Sequence, residues 1–273
     1  MKSKEFIIAL VALFIAFGGL AILKNNGNTD REAKSSAGTK SDSIKKFWIY
    51  YNLATRYRLQ DKPDSAISAY REAINLNPSP EDPLYYLGIV YMKAGDFEKA
   101  KETWEKLTEL DPGSERAFYQ LGNLYFCLDR KNYFDPEKAK LFFNRAFELN
   151  KEAVNPELRL GEIALFQNKI NEASVVFDKL LIMDRKNLEI NFLTGYLKWR
   201  SGNTAEGITN LANAFTLINA TAKNPSIAEN QDCDLCMSWI DKNLSTYAKQ
   251  DIRIALPALY AKFDEYVISI RRT

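Results

Sequence analysis

Histidine is absent from the 273 residues. With it go the commonest general base near neutral pH, the commonest metal ligand and the axial ligand of a CxxCH haem site. Cysteine is scarce: Cys127, Cys233 and Cys236 are too few for a disulfide scaffold and one short of an all-thiolate tetrahedral zinc site within one chain. Charge of one sign is lacking too. Thirty-seven basic residues face 35 acidic ones, a net of +2, so the bulk balance argues against a nucleic-acid surface or a polyacidic partner. Such a chain recognises partners by shape. What it has instead is apolar material: 46% hydrophobic residues against 26% charged supply a core and exclude disorder throughout.

The first long feature is an apolar run from Phe6 to Leu23, with Lys2 and Lys4 before it and Lys24 after it. As a helix it would measure roughly 27 Å, close to the thickness of a bilayer's hydrocarbon core. Residues 1–24 therefore read as a single-pass transmembrane signal anchor. A cleavable secretory signal is the alternative, since Gly19 and Ala21 offer a small-x-small site of the kind signal peptidase uses. The short basic head favours a cytoplasmic N-terminus and an exported body, periplasmic in a bacterial inner membrane. Arg31, Lys34 and Lys40 on the far side weigh against it. Residues 25–42 contain no apolar residue larger than alanine and read as a flexible polar linker.

From residue 43 the chain repeats itself. Leu53-Ala54, Leu87-Gly88, Leu121-Gly122 and Leu160-Gly161 recur at spacings of 34, 34 and 39 residues, followed three positions on by Tyr57, Tyr91, Tyr125 and Ala164. A second small residue follows at Ala66, Ala100, Ala139 and Ala173, and four positions later a ring at Tyr70, Trp104, Phe143 and Phe177. Residues i and i+4 share a helix face, so this spacing predicts two antiparallel helices per unit, with small residues admitting large ones from the neighbour. Pro78 and Pro112 end units, where proline cannot continue a helix. Gly95-Asp96 and Ser201-Gly202-Asn203 mark tight turns, and Pro63 and Pro136 suit first helical turns. A weaker fifth unit carries Gly195, Gly207 and Leu211 at the corresponding sites.

The stretches YYNLATRYRLQDKPDSAISAYREAINLNP and LYYLGIVYMKAGDFEKAKETWEKLTELDP resemble the tetratricopeptide repeat. The resemblance implies an all-α helix-turn-helix solenoid, a right-handed superhelix. Five repeats are expected within 43–219, at about 47–80, 81–114, 115–153, 154–187 and 188–219. The third unit carries five extra residues around 129–135, read either as tolerated length variation or as a contact loop bearing Tyr133 and Phe134.

Residues 220–273 are expected to supply C-terminal capping helices. Leu256, Leu259, Tyr260, Phe263, Val267 and Ile270 form one apolar stripe, which either closes the solenoid's last open face or docks on another protein. Pro257 is expected to begin or kink that helix. Cys233-Asp-Leu-Cys236 is the one motif with chemical potential; it reads as a structural disulfide or quiet thiols, with metal shared between chains or thiol redox chemistry as alternatives.

In the resembled family the first helices of successive units bind peptides or helices of other proteins on the concave face. Carried onto this sequence, the candidate partner-binding residues are Tyr51, Tyr85 and Tyr119, then Thr55, Ile89 and Asn123, with Arg116, Phe126, Tyr196 and Trp199 nearby. Their rings and polar tips suit binding hot spots. The carboxylate clamp of the chaperone-binding subset is not matched, because Tyr51 and Thr55 stand at its lysine and asparagine sites; Arg116 alone agrees. No cofactor and no catalytic residue is indicated. The functional expectation is a membrane-tethered scaffold or assembly factor for a protein or peptide segment of a membrane or envelope complex. A self-associating structural element and a CxxC thiol oxidoreductase are the alternatives.

Overall fold

A computed structural model of the chain describes residues 41–76, 81–126, 132–221 and 235–271. The apolar run 6–23, Cys127 and Cys233 lie outside them, and no described helix is long and apolar enough to cross a membrane. The described residues form twelve helices and no strand. They divide into two compact units, Met1–Val90 and Tyr91–Thr273.

The first unit holds α1 (41–59), α2 (Pro63–Leu76) and most of α3 (Glu81–Lys93). Pro63 opens α2 with its missing N–H in the turn where none is needed. Ala54 of α1 and Ala66, Tyr70 and Ala73 of α2 are fully buried, and Tyr70 reaches α1, where its hydroxyl meets that of Thr55 next to Ala54. The small-against-large pattern of the sequence thus describes a real interlock.

The second unit continues with α4 (Phe97–Leu110), α5 (Glu115–Tyr125), α6 (Pro136–Leu149), α7 (Val154–Phe166), α8 (Ile170–Met183), α9 (Leu188–Arg200) and α10 (Thr204–Thr221). Each helix from α4 to α10 packs on the next. Their starts are capped locally: the Asp96, Asp135 and Asn187 carbonyl-bearing side chains accept the backbone N–H groups of Lys99, Lys138 and Ile190, satisfying donors that a helix start leaves open. The tight turns inside four helix pairs place Asp61, Gly95, Asn168 and Gly202 at positive φ, 54°, 79°, 62° and 86°. Only Gly, and at smaller expense Asn and Asp, enters that region routinely.

Rings meet glycines at the pair contacts. A Cβ on Gly122 would lie 2.5 Å from the Phe143 ring, and one on Gly161 2.8 Å from the Phe177 ring. Gly122→Ala is therefore expected to destabilise the second unit by about 1–3 kcal/mol through overpacking, measured as a lowered urea midpoint with an unchanged slope. In the fifth pair Leu211 stands where a ring is due, and the site above Gly195 is filled from elsewhere: the nearest atom to its would-be Cβ is the Tyr260 hydroxyl.

Tyr260 belongs to α12 (Ile252–Arg271), which with α11 (Leu235–Tyr247) completes the unit. These two helices do more than close the end of the repeat array. They pack on α10, and α12 also reaches α7 while α11 reaches α9. Leu256, Leu259, Tyr260, Phe263, Val267 and Ile270 are all buried, so the stripe read from the sequence docks intramolecularly. Asp251 starts α12 by accepting from Arg253 N–H at 2.8 Å. Pro257 lies inside the helix, so of the two expected roles it does not begin α12.

Candidate interaction surface

The first unit presents a chain of rings. Trp48 and Tyr51 of α1 lie 5.7 Å apart, Tyr51 meets Tyr70 at 6.2 Å, Tyr70 meets Tyr86 of α3 at 6.4 Å, and Tyr86 meets Tyr85 at 5.1 Å. Thr55 and Tyr70 share a 3.3 Å hydrogen bond between their hydroxyls. The Arg58 guanidinium stands 4.6 Å over the Tyr86 ring, a cation–π contact, and its buried Nε donates to nothing among the described residues. Burial, and then the Asp82 carboxylate, push the Tyr51 hydroxyl above its ordinary pKa. Burial also raises that of Tyr70, against the lowering contacts of Thr55 and Arg58. Both hydroxyls stay neutral near pH 7, able to donate and to accept.

Tyr51, Tyr85 and Thr55 are half-buried, each keeping part of its side chain accessible, whereas Ile89 is buried. Arg58 and Tyr86 had not been singled out in the sequence. Their signal was available, since Arg58 follows Thr55 by three positions and so shares its helix face.

In the second unit Arg116, Tyr119 and Asn123 lie along α5, all half-buried. Asn123 donates to Gln120 at 3.4 Å, and Tyr119 packs 5.7 Å from Phe143. Further along, the expectation of an accessible ring surface is corrected. Phe126 is buried among Phe134, Phe143 and Phe166. Tyr196 is fully buried beneath α12, its ring 4.9 Å from Phe263 and 5.8 Å from Tyr260. Its hydroxyl donates to Asp264 at 2.5 Å and accepts from Arg200 at 3.1 Å. Burial first, then the hydrogen bond to Asp264 and that carboxylate's charge, drive its pKa far up. Trp199 is half-buried against the same Tyr260. At the far end of α12, Arg271 donates to the carbonyls of Leu165 and Phe166 at 2.9 and 3.0 Å, adding to the Asn168 N–H that Leu165 already accepts and helping to satisfy the carbonyls at the end of α7. The chain's own C-terminal helices therefore cover the α7 and α9 surfaces where a partner was anticipated.

The loop before α6 leaves both its rings half-buried: Tyr133 donates to Glu98 at 2.8 Å, and Phe134 lies 6.4 Å from Phe126. A cleft of about 500 Å³ opens beside it, walled by Phe134, Phe166 and Ile270. Its polar rim is already engaged, because Glu137 accepts from Gln167 and Arg271 caps α7.

One buried charged cluster joins α7 to α9. Arg159 forms an ion pair with Glu162 on its own helix and a forked pair with Glu189, at 3.3 and 3.1 Å. Cys236 of α11 brings its sulfur within 4.8 Å of ligand oxygens of both carboxylates. The guanidinium supplies the positive charge to that cluster and holds Glu162 Oε2 and both Glu189 oxygens, while Glu162 Oε1 accepts no hydrogen bond among the described residues, so the arrangement is an ion triad in character. Cys236 is fully buried, a setting in which thiols are inert. Its expected pairing involves Cys233, outside the described residues.

Helix pairs of this length, with small residues facing rings and turns at a 34-residue period, define a tetratricopeptide-repeat solenoid. Residues 57–124 match the sequence profile of the tetratricopeptide repeat, so the chain carries repeats of this kind. Among curated relatives it is 25% identical over 219 residues to the anaphase-promoting complex subunit CDC16 of Saccharomyces cerevisiae. That match takes in 75% of this chain and 25% of the relative. It is 27% identical over 119 residues to the photosystem I assembly protein Ycf3 of Rippkaea orientalis, covering 42% of this chain and 69% of that one. The chain spans about a quarter of the length of CDC16 and 12% of that of a human O-mannosyl-transferase relative, TMTC3. Its fold is similar to that of PilF from Pseudomonas aeruginosa, with TM-score 0.53, 17% identity and coverage of 81% of this chain and 99% of the other. It is likewise similar to the crystal structure of MamA, with TM-score 0.52, 23% identity and coverage of 66% and 95%.

Proposed function

We propose that this protein is a membrane-tethered assembly scaffold that grips a segment of a partner protein on the ring-lined face of α1 and α3. Holding, not catalysis, is the activity that these side chains suit. The observation that carries the reading is the contrast within the chain: α7 and α9 are covered by α11 and α12, while Tyr51, Thr55 and Tyr85 keep accessible surface beside the Arg58 guanidinium. Aromatic rings with polar tips and an arginine are the residue types that dominate binding energy at interfaces. A partner segment with an apolar side chain for the rings and a carbonyl or carboxylate for Arg58 fits best. The resemblance to an assembly protein, Ycf3, supports the assembly role.

The apolar run 6–23 with its flanking lysines supports the tether, with the body on the extracytoplasmic side of a bacterial inner membrane. Confinement there would raise the effective concentration of the face for partners in the same membrane. Tyr51→Ala combined with Tyr85→Ala is expected to lower partner recovery from gently solubilised membranes by at least about thirtyfold, on the scale of one interfacial hot spot. Tyr196→Phe, which removes a hydroxyl beneath α12, is expected to leave recovery unchanged. Equal recovery of the partner by the double variant and the parent protein would refute the assigned face.

A further inference from the structure

The start of α1 breaks the usual pattern for the end of a repeat array. Terminal repeats need a polar outer face, because no further unit covers them. Here Ile44, Trp48 and Ile49 are 51%, 53% and 63% exposed, interleaved with the exposed Lys45 and Lys46. Ile44 and Trp48 stand one helical turn apart, as do Lys45 and Ile49, so apolar groups and cations lie side by side over the first two turns.

This segment is built into the body. Phe47 between them is buried and lies 6.0 Å from Tyr51 in a stacked pair, and the Ser43 hydroxyl donates to the Leu76 carbonyl at 3.4 Å. The first two turns are therefore held against α2, and their apolar side chains are displayed from a fixed helix.

We infer that the first two turns of α1 lie against the headgroup region of an anionic membrane, with Trp48, Ile44 and Ile49 entering the interface and Lys45 and Lys46 meeting lipid phosphates. Two observations select a lipid surface. The first is reach. Seventeen residues, 24–40, separate the apolar run from α1, and even fully extended they span no more than ~60 Å. A chain anchored by that run keeps α1 within reach of the bilayer. The second is charge. From Lys24 to Lys46 the cations are Lys24, Arg31, Lys34, Lys40, Lys45 and Lys46, against Asp30, Glu32 and Asp42. The carboxylate nearest the patch in sequence, Asp42, pairs with Lys45 only at 4.0 Å, both side chains being exposed. Tryptophan and isoleucine beside lysine is the composition of an interfacial anchor, in which the ring sits at headgroup depth and cations add attraction to anionic lipid. The contact orients the solenoid: it fixes the first helix to the membrane and leaves Tyr51, Thr55 and Arg58, further along α1, to the partner.

The inference rests on the tether assigned above, and the test separates the two. The full chain is reconstituted into vesicles of phosphatidylcholine containing phosphatidylglycerol, with a nitroxide label at headgroup depth. The expected result is retention after alkaline carbonate washing and quenching of a fluorescence component that Trp48→Phe removes. In Lys45→Gln with Lys46→Gln, contact falls by about fivefold per cation, roughly 25-fold together, from ~1 kcal/mol per basic residue near an anionic surface. A chain retained by the vesicles whose Trp48 component escapes the nitroxide overturns the interfacial contact and leaves the tether intact. A chain released by carbonate overturns the tether and the contact with it. Equal quenching in pure phosphatidylcholine vesicles removes the role given to the lysines and overturns the inference in its anionic form.

Discussion

Arg159→Met is expected to destabilise the second unit by about 3–5 kcal/mol, the cost of breaking a buried ion pair by removing one partner. The geometry puts the effect at the upper end of single substitutions. One guanidinium serves two carboxylates, Glu162 on its own helix and Glu189 on α9, and all three side chains are at most 6% exposed. Taking the cation away leaves two acids in a medium that solvates neither, and they must repel, take up protons or open the α7–α9 contact to water. For a unit of this size the change corresponds to a fall in Tm of roughly 6–20 °C. Replacing all three together, Arg159→Met with Glu162→Leu and Glu189→Leu, is expected to recover most of the loss, because the apolar trio has no charge to desolvate. Thermal unfolding followed by circular dichroism decides between this account and one in which Arg159 matters only as packing. In the latter, the triple variant is no more stable than the single one.

The second large effect is expected at Tyr260. Its ring is fully buried, 5.2 Å from Phe192 and 5.8 Å from Tyr196 and from Trp199, and its hydroxyl donates to the Phe192 carbonyl at 3.3 Å. Burial lifts that hydroxyl's pKa well above the ordinary tyrosine value, so it acts as a neutral donor. Tyr260→Ala deletes the group that seats above Gly195 and is expected to destabilise by about 3–5 kcal/mol, the range for a buried ring cut to alanine. Tyr260→Phe keeps the ring and loses one hydrogen bond, an expected ~1 kcal/mol. A ratio near one between the two losses would show that the hydroxyl, not the ring, holds α12 on α9. Loosening α12 also uncovers Tyr196 and Phe192, so the alanine variant is expected to bind more of an apolar dye than the phenylalanine variant at equal protein concentration.

The repeat itself was plain in the sequence because its cause is local and periodic. Gly122 and Gly161 are small where Phe143 and Phe177 are large, and the spacing between them follows from helix geometry alone. The turn residues were equally legible, since left-handed backbone at Gly95 and Gly202 leaves few alternatives to glycine. Asp61 and Asn168 fill the same turn position and were harder to see, because their side chains permit that conformation without demanding it.

The candidate surface was half legible. Tyr51, Thr55 and Tyr85 follow from register, and the structure keeps them accessible. Phe126 and Tyr196, expected beside them, are buried. The difference lies in what arrives from far along the chain. Tyr196 meets Asp264, and the α7 carbonyls meet Arg271. No repeat period encodes contacts of that sequence separation, and the stripe on α12 announced only that it needed an apolar face, not which one.

The sequence by itself determined the all-α repeat, its register, its turns and the apolar run at the start, all consequences of steric rules acting within one helix pair or one stretch of chain. Only the tertiary structure decided which inner faces stay open. Leu211 leaves a ring missing above Gly195, and a close-packed interior tolerates no such gap. Tyr260 from α12 fills it, and in doing so it brings the C-terminal helices down over α9.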